Sequence, residues 1–451
     1  MNAKTARANK NFSCVNRRDF LAASTILPVL SGRSITLTQS DEAFVEDLCR
    51  RSFRYFWDQA DLSTGLVLDR SRCDGTLVPG RNLRVASTAL TGFYLTALCI
   101  GAERQWQPLD ACHERVRQTL RHLLHNQENV RGWLYHFVNQ QSGGRVWNCE
   151  VSTIDTAFVL AGAITAQQYF ERDAEIFELA QDLYSRVDFQ WMYNQKAGLL
   201  RMGWTPEVGF LEHDWTDYDE NSILAFLAIA SPTHCLPATC WYSFRRVGIE
   251  LCGYKFVGRG PLFTHQYSQG WLRLAELRDG PPFRLNYFQN SVVATYAFRE
   301  LWNSLRSIYP GMHPDIWGNV PSDSSIGYTV WGSPTSRRDM DGSITPSAMA
   351  GSLMFAPEIC LPGLRAAREL FSDWIYGHYG FTDTFNPLRE WSNPDVVGIN
   401  TGITLLSAEN LRSGNVWRWF THSADVQRAM SRLFEPETRK ARVHSQNPGE
   451  I

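Results

Sequence analysis

The chain has 451 residues, enough to bury a large core without metal or disulfide staples. Its formal net charge is −2, which excludes both the basic face that nucleic-acid binding requires and the acidic excess of a solvating chain. Aromatic residues make up 13% and include 16 Trp, a surplus that serves either core filling or ring-stacking surface.

At the N-terminus, Arg17-Arg18-Asp19-Phe20-Leu21 follows a polar, basic stretch and precedes an apolar segment to Leu30, then Ser31 and Gly32. This pattern predicts a twin-arginine export signal, with residues 1–40 as signal and linker, and hence a periplasmic or secreted protein. The competing reading is a basic tail with an incidental arginine pair. No later stretch approaches the ~20 apolar residues of a membrane span. The ten cysteines contain no Cys-x-x-Cys pair, and the histidines contain no His-Glu-x-x-His. Asp339-Met340-Asp341-Gly342 falls short of a calcium loop and reads as a turn. No metal or other cofactor is expected.

Helical periodicity then runs along the chain. Phe44, Leu48, Phe53, Phe56 and Trp57 share one stripe, Leu90, Tyr94 and Leu98 repeat at four, and Val116, Leu120 and Leu123 do likewise. Phe158, Ala161, Thr165 and Tyr169 form another stripe, and further helices are predicted near 174–190, 220–231, 238–250, 265–277, 289–306, 345–353, 357–372 and 403–413. An all-α fold follows. About a dozen antiparallel helical steps can close into a double ring around a central cleft, whereas an α-solenoid needs a repeat of fixed period, and none is found. Long loops near 129–150, 197–219, 253–270, 308–342 and 378–402 read as cleft walls. The expected organisation is one domain over 41–425 and a polar, disordered tail over 426–451.

Within the loops, carboxylates stand among aromatics, from Glu150 and Asp155 through Trp204 and Trp215 to Asp219 and Glu220. Cleaving a glycosidic bond needs one carboxyl to protonate the leaving oxygen and another to activate water or stabilise an oxocarbenium-like centre, while flat rings grip sugar faces. Ser152 and Asp155 also fit a capping box ahead of a helix, as do Thr216 and Asp219. Glu150 and Glu220 have no capping work to do. Beside Trp215 and Tyr218 in a closed cleft, Glu220 would be desolvated, which raises a carboxyl pKa toward that of a general acid. His265-Gln266-Tyr267 enters a helix after Gly260-Pro261, a good place for hydroxyl-binding side chains, and Glu358 follows Pro357 at a helix start, where its default role is with the helix dipole.

Several long motifs, in order, resemble the bacterial glycoamylase-like domain. They include Glu150-Val151-Ser152-Thr153-Ile154-Asp155, Met202-Gly203-Trp204-Thr205-Pro206, Gly260-Pro261-Leu262-Phe263-Thr264-His265-Gln266-Tyr267 and Ala350-Gly351-Ser352-Leu353-Met354-Phe355-Ala356-Pro357-Glu358. Tyr379-Gly380-Phe381-Thr382-Asp383-Thr384-Phe385-Asn386-Pro387 and Asn410-Leu411-Arg412-Ser413-Gly414 continue the resemblance, which spans about Phe53 to Trp419. That group includes endo-β-1,2-glucanases and the glucan-processing part of cyclic β-1,2-glucan synthases. The resemblance implies an (α/α)6 toroid, a β-glucan partner, Glu220 as acid, and Glu150 and Asp155 as acids needed in the cleft. Trp147, Trp204, Trp215, Tyr218, His265, Gln266, Tyr267, Asp323, Glu358 and Asp383 are the candidate substrate-binding residues. The chain departs from the family pattern at Asp219 and over Tyr309 to Arg338, where only pieces such as Ser322-Asp323 match.

Overall fold

The computed structural model describes residues 36–333 and 340–437; the Arg17-Arg18 segment and Asp339 lie outside the described residues. Among the described residues there are fourteen α-helices. They are α1 (Gln39–Gln59), α2 (Thr88–Glu103), α3 (Leu109–His125), α4 (Thr153–Tyr169), α5 (Ala174–Ser185), α6 (Ser222–Ala230), α7 (Thr239–Ser243) and α8 (Phe263–Trp271). The series continues with α9 (Tyr287–Leu305), α10 (Pro346–Ala350), α11 (Pro357–Ile375), α12 (Gly398–Arg412), α13 (Asn415–His422) and α14 (Ala424–Leu433).

Sequence separates two kinds of helix. In α1, capped by the reciprocal Thr38–Asp41 bonds, one stripe with Phe44, Leu48, Phe53 and Phe56 is buried and the rest faces water. In α3 the buried stripe is Val116, Leu120 and Leu123. By contrast, α2 is buried from Thr88 to Ala102 and α4 from Thr153 to Gln167, as helices surrounded by protein must be. Helix α2 packs on α4, α4 on α6, α6 on α8, and α12 on α8, α10 and α2. The amphipathic helices cover them: α1 lies on α12 and α2, α3 on α2, α5 on α4, α9 on α8, and α11 on α10.

Glycine sets the closest of these approaches. A Cβ on Gly92 of α2 would lie 2.0 Å from the Phe158 carbonyl oxygen of α4, and one on Gly162 would lie 2.1 Å from the Gly92 carbonyl oxygen. Only hydrogen fits at either position. Part of the tryptophan surplus is core: Trp133, Trp241, Trp271 and Trp317 are fully buried, and Trp271 Nε1 donates to Thr96 Oγ1 at 3.0 Å.

The loops are not strand-free. Val85–Ser87 pairs antiparallel with Phe137–Asn139, Arg70–Arg72 with Asp395–Val397, and Val151–Ser152 joins Gly203–Thr205 and Gly209–Phe210 in a three-stranded sheet. These ladders clip loops distant in sequence to one end of the helices. The helix expected over 238–250 stops at Ser243, and Gly248–Leu251 instead forms a hairpin with Tyr254–Val257. The chain also stays folded past residue 425: α14 buries Val426, Ala429 and Leu433, and Phe434–Pro436 pairs with Leu277–Asp279. All nine described cysteines are free. No helix among the described residues is long and apolar enough to cross a membrane.

Candidate active site

An acid stands in the first turn of α4, another just before α6, and a third is bonded to the first turn of α12, and the clipped loops bring further charged groups to them. At α4, Ser152 Oγ accepts from the Asp155 N–H at 3.3 Å, which fixes Asp155 in the first turn. Asp155 turns toward His136, whose Nε2 lies 3.7 Å from Oδ2. On its other side, His136 Nδ1 lies 3.0 Å from Glu150 Oε1. The imidazole is held rigidly, since its backbone N–H donates to the Glu150 carbonyl, its carbonyl accepts from Thr88, and its ring stacks on Phe137 at 3.9 Å.

This trio is an imidazolium between two carboxylates. Burial works against the His136 charge, but Asp155 and Glu150 override it and raise the imidazole to about 9. The hydrogen bond from His136 holds Glu150 below its ordinary value, while burial raises Asp155 against the pull of the same cation.

Glu220 sits just before α6. Its backbone is pinned at both ends: the N–H donates to Asp219 Oδ1 at 2.8 Å and the carbonyl accepts from Ser268 Oγ at 2.7 Å. Among the described residues its carboxyl group has no hydrogen-bond partner, and the residue is only half-buried. Burial first, then the negative charges of Asp219 and Asp155, push its pKa well above the ordinary carboxyl range. The residue is thus enclosed by protein yet reachable by solvent, as the floor of a site must be. Helix α6 begins at Ser222 without a side-chain cap, so the capping box expected at Thr216–Asp219 does not form.

Rings surround this floor. Trp215 Nε1 donates to Thr153 Oγ1 at 3.1 Å, which ties its indole to the start of α4. Trp204, on the strand paired with Val151, packs 5.6 Å from Trp191. Trp147, 40% exposed and at a left-handed φ of 57°, has the Arg81 guanidinium 4.9 Å from its ring centroid.

A second acid group stands on the other side. Buried Asp383 accepts from Asn400 Nδ2 of α12 at 2.7 Å, and burial pushes its pKa up to about 6. The backbone N–H of Asp323 reaches Asp383 at 3.4 Å, and the Asp323 carboxylate binds Arg70 Nη1 at 2.6 Å. Arg70 Nε in turn donates to Asp69 at 3.2 Å. Tyr267 of α8 joins the two groups: its ring is wedged among Phe93, Phe158 and Phe263, and its phenol feels the charges of both Glu220 and Asp383.

Four expected substrate contacts lie elsewhere. His265 is 1% exposed, packs between Tyr218 and Phe256, and is driven by burial to a pKa of about 3, so it is a neutral core residue. Gln266 Nε2 donates to the Ala348 carbonyl and to Ser352 Oγ, tying α8 to the segment around α10. Tyr218 is buried against His265 and Tyr287. Glu358 is exposed on α11 and accepts from the Tyr296 hydroxyl. In each case the side chain turns away from the acids because a protein partner already satisfies it or burial is more favourable. Sequence reasoning missed His136, Arg70, Asp69 and Asn400, which carry no motif; Asp69-Arg70 as adjacent opposite charges ahead of a loop was the one faint signal. Among the described residues, no group of three or more His, Cys, Asp or Glu side chains is arranged to hold a metal ion.

A mainly helical protein with acids and rings gathered at the N-terminal ends of its buried helices is the class defined by this geometry. Residues 212–424, a little under half of the chain, match the model of the Glycoamylase (glucoamylase) family, to which the chain is similar over that span. It is 24% identical over 433 residues to the exo β-1,2-glucooligosaccharide sophorohydrolase (non-reducing end) of Parabacteroides distasonis. That match takes in 88% of this chain and 58% of the relative, so the chain spans little more than half the length of the curated protein. The solved endo-β-1,2-glucanase of Chitinophaga pinensis, in complex with sophorotriose and glucose, superposes with a TM-score of 0.81 at 25% identity, covering 89% of this chain and 99% of that one. The β-1,2-glucanase structure from Parabacteroides distasonis gives a TM-score of 0.79 at 24% identity, over 88% of this chain and 60% of that one.

Proposed function

We propose that the protein is a glycoside hydrolase that cleaves β-1,2-linked glucan by acid/base catalysis with inversion. The observation that carries the reading is Glu220, a carboxyl with no hydrogen-bond partner among the described residues, whose burial and acidic neighbours raise its pKa well above the ordinary carboxyl range. Such a group can give its proton to the departing glycosidic oxygen. Glu150 and Asp155 face the imidazolium of His136, and their negative charge favours the positive character that grows at the anomeric carbon. A water, deprotonated by an ionised carboxylate of the cleft directly or through a substrate hydroxyl, attacks from the opposite face. One C–O bond breaks, one forms, and the base keeps the proton from water. The linkage rests on the likeness to the Parabacteroides and Chitinophaga proteins, both named for β-1,2-glucans.

The architecture we propose is an (α/α)6 toroid, with α2, α4, α6, α8, α10 and α12 as the inner ring and α1, α3, α5, α7, α9 and α11 as the outer one. The packing of α2 on α4, α4 on α6, α6 on α8 and α12 on α2 supports it. Arg17 and Arg18 support export to the periplasm. The name of the Parabacteroides relative favours a second reading, exo action that releases a disaccharide.

The test is incubation of the protein, and of Glu220→Gln, with linear β-1,2-glucan beside β-1,3, β-1,4 and α-1,4 glucans, reading products by chromatography. Sugars released from β-1,2-glucan alone, and lost by at least about a thousand-fold in the variant, are expected. A single disaccharide product marks exo action and a spread of lengths marks endo action. No release from any β-1,2-glucan refutes the proposal.

A further inference from the structure

Ahead of α10 lies a tight hairpin in which Ser322–Ser324 pairs with Gly327–Thr329. The hairpin is braced internally by Ser324 Oγ donating to the Gly327 carbonyl at 2.7 Å, and its base is tied toward α10 by Ser322 Oγ at 3.2 Å from Thr345 Oγ1. In its register Tyr328 stands directly opposite Asp323. Directly opposed residues of an antiparallel pair share one face of the ribbon. The Asp323 carboxylate points at Arg70, beside Asp383, so Tyr328 projects on the side of the cleft acids.

Yet Tyr328 is 65% exposed, and among the described residues no hydrogen bond or ring contact occupies it. A large ring on a braced hairpin, held out beside a row of acids and left bare, is unfavourable for a free protein. It is useful to a ligand with an apolar face. Partial burial first, and then the charges of Asp383, Asp323 and Asp69, raise the phenol pKa, which agrees with the register in setting Tyr328 beside these acids.

We propose that Tyr328 is a glucan-binding platform, whose ring stacks on a glucosyl unit on the Asp323–Asp383 side of the cleft, outside the pair of units joined by the cleaved bond. This rests on the reading of the site as a β-1,2-glucan hydrolase and deepens it. The platform sets the shortest chain that this protein handles efficiently. A glucan too short to reach Tyr328 gains nothing from it.

The test separates binding from turnover. Glu220→Gln and Glu220→Gln/Tyr328→Ala are titrated by calorimetry with linear β-1,2-gluco-oligosaccharides of increasing length, and the Tyr328→Ala, Tyr328→Phe and Tyr328→Trp single variants are assayed for kcat and KM on the same series. Loss of the ring is expected to weaken affinity about ten-fold for chains above a threshold length and to leave shorter chains unchanged. The penalty is expected in KM rather than kcat, and Phe and Trp are expected to restore it. Equal behaviour of Tyr328→Ala and the parent at every length overturns the proposal. So does failure of Phe and Trp to rescue, since the hydroxyl would then be the working group. If wild-type protein releases no sugar but Glu220→Gln shows the Tyr328-dependent step in affinity, the hydrolase reading falls and the platform stands. Absence of oligosaccharide binding overturns both.

Discussion

Replacing His136 by Gln removes the one cation between Glu150 and Asp155 while keeping a side chain of similar reach. In the folded chain the imidazole holds its proton to about pH 9, against an ordinary 6.5, a difference of about 3 kcal/mol. One third of the side chain is open to water, so screening trims this to about 2 kcal/mol. A raised pKa gives stability that is fully present below the ordinary value and is lost as pH rises through the folded one. The lowered Glu150 contributes to the same contact, and its share disappears on acidification through the carboxylate range. The cost of His136→Gln should therefore be largest near pH 6 and small above about pH 9. Urea unfolding of both proteins at about pH 6 and about pH 9.5 measures it. An equal cost at both pH values would falsify the ion-pair account and leave only packing on Phe137.

Asp383 lies near 6, so if the ionised form holds substrate, kcat/KM should climb as pH rises through about 6 and fall again at higher pH as Glu220 loses its proton. Asp383→Asn should remove the acid limb with most of the activity; an unchanged limb in the residual activity counts against the assignment. Gly92→Ala drives a methyl to 2.0 Å from the Phe158 carbonyl oxygen and should cost about 3 kcal/mol in thermal or chemical unfolding, whereas Gly144→Ala, which meets only Ser142 Oγ at 3.4 Å, should be near neutral. Comparable losses in the two variants would show that the α2–α4 approach is not what the glycine secures.

The helices were legible because their apolar stripes are long enough to show a period: α1, α5, α9 and α11 start within two residues of expectation or carry the expected stripe. The strands were not, since ladders of two to four residues cannot display alternation, and their partners lie far away, as Arg70 with Val397. Glu150, Asp155 and Glu220 stood out as carboxyls among rings, and the structure brings Asp155 and Glu150 onto His136 and sets Glu220 within the field of Asp155. His136 and Arg70 stayed hidden because a lone histidine and a lone arginine take their meaning from what folds against them. His265, Gln266 and Tyr218 misled for the converse reason. A polar or aromatic residue at a loop-to-helix junction can turn inward as easily as outward, and there the core offered Ser291, Ser352 and Tyr287.

The cleft floor draws Arg70, His136, Asp155, Glu220, Asp323, Asp383 and Asn400 from most of the chain's length. Loop closures of this span are the slowest to form, so turnover in a refolding experiment should return last, after helical signal and burial of tryptophan. For the same reason, proteolytic fragments that keep stable helices should be inert. Under the proposed function, activity is a reporter of the whole chain having arrived.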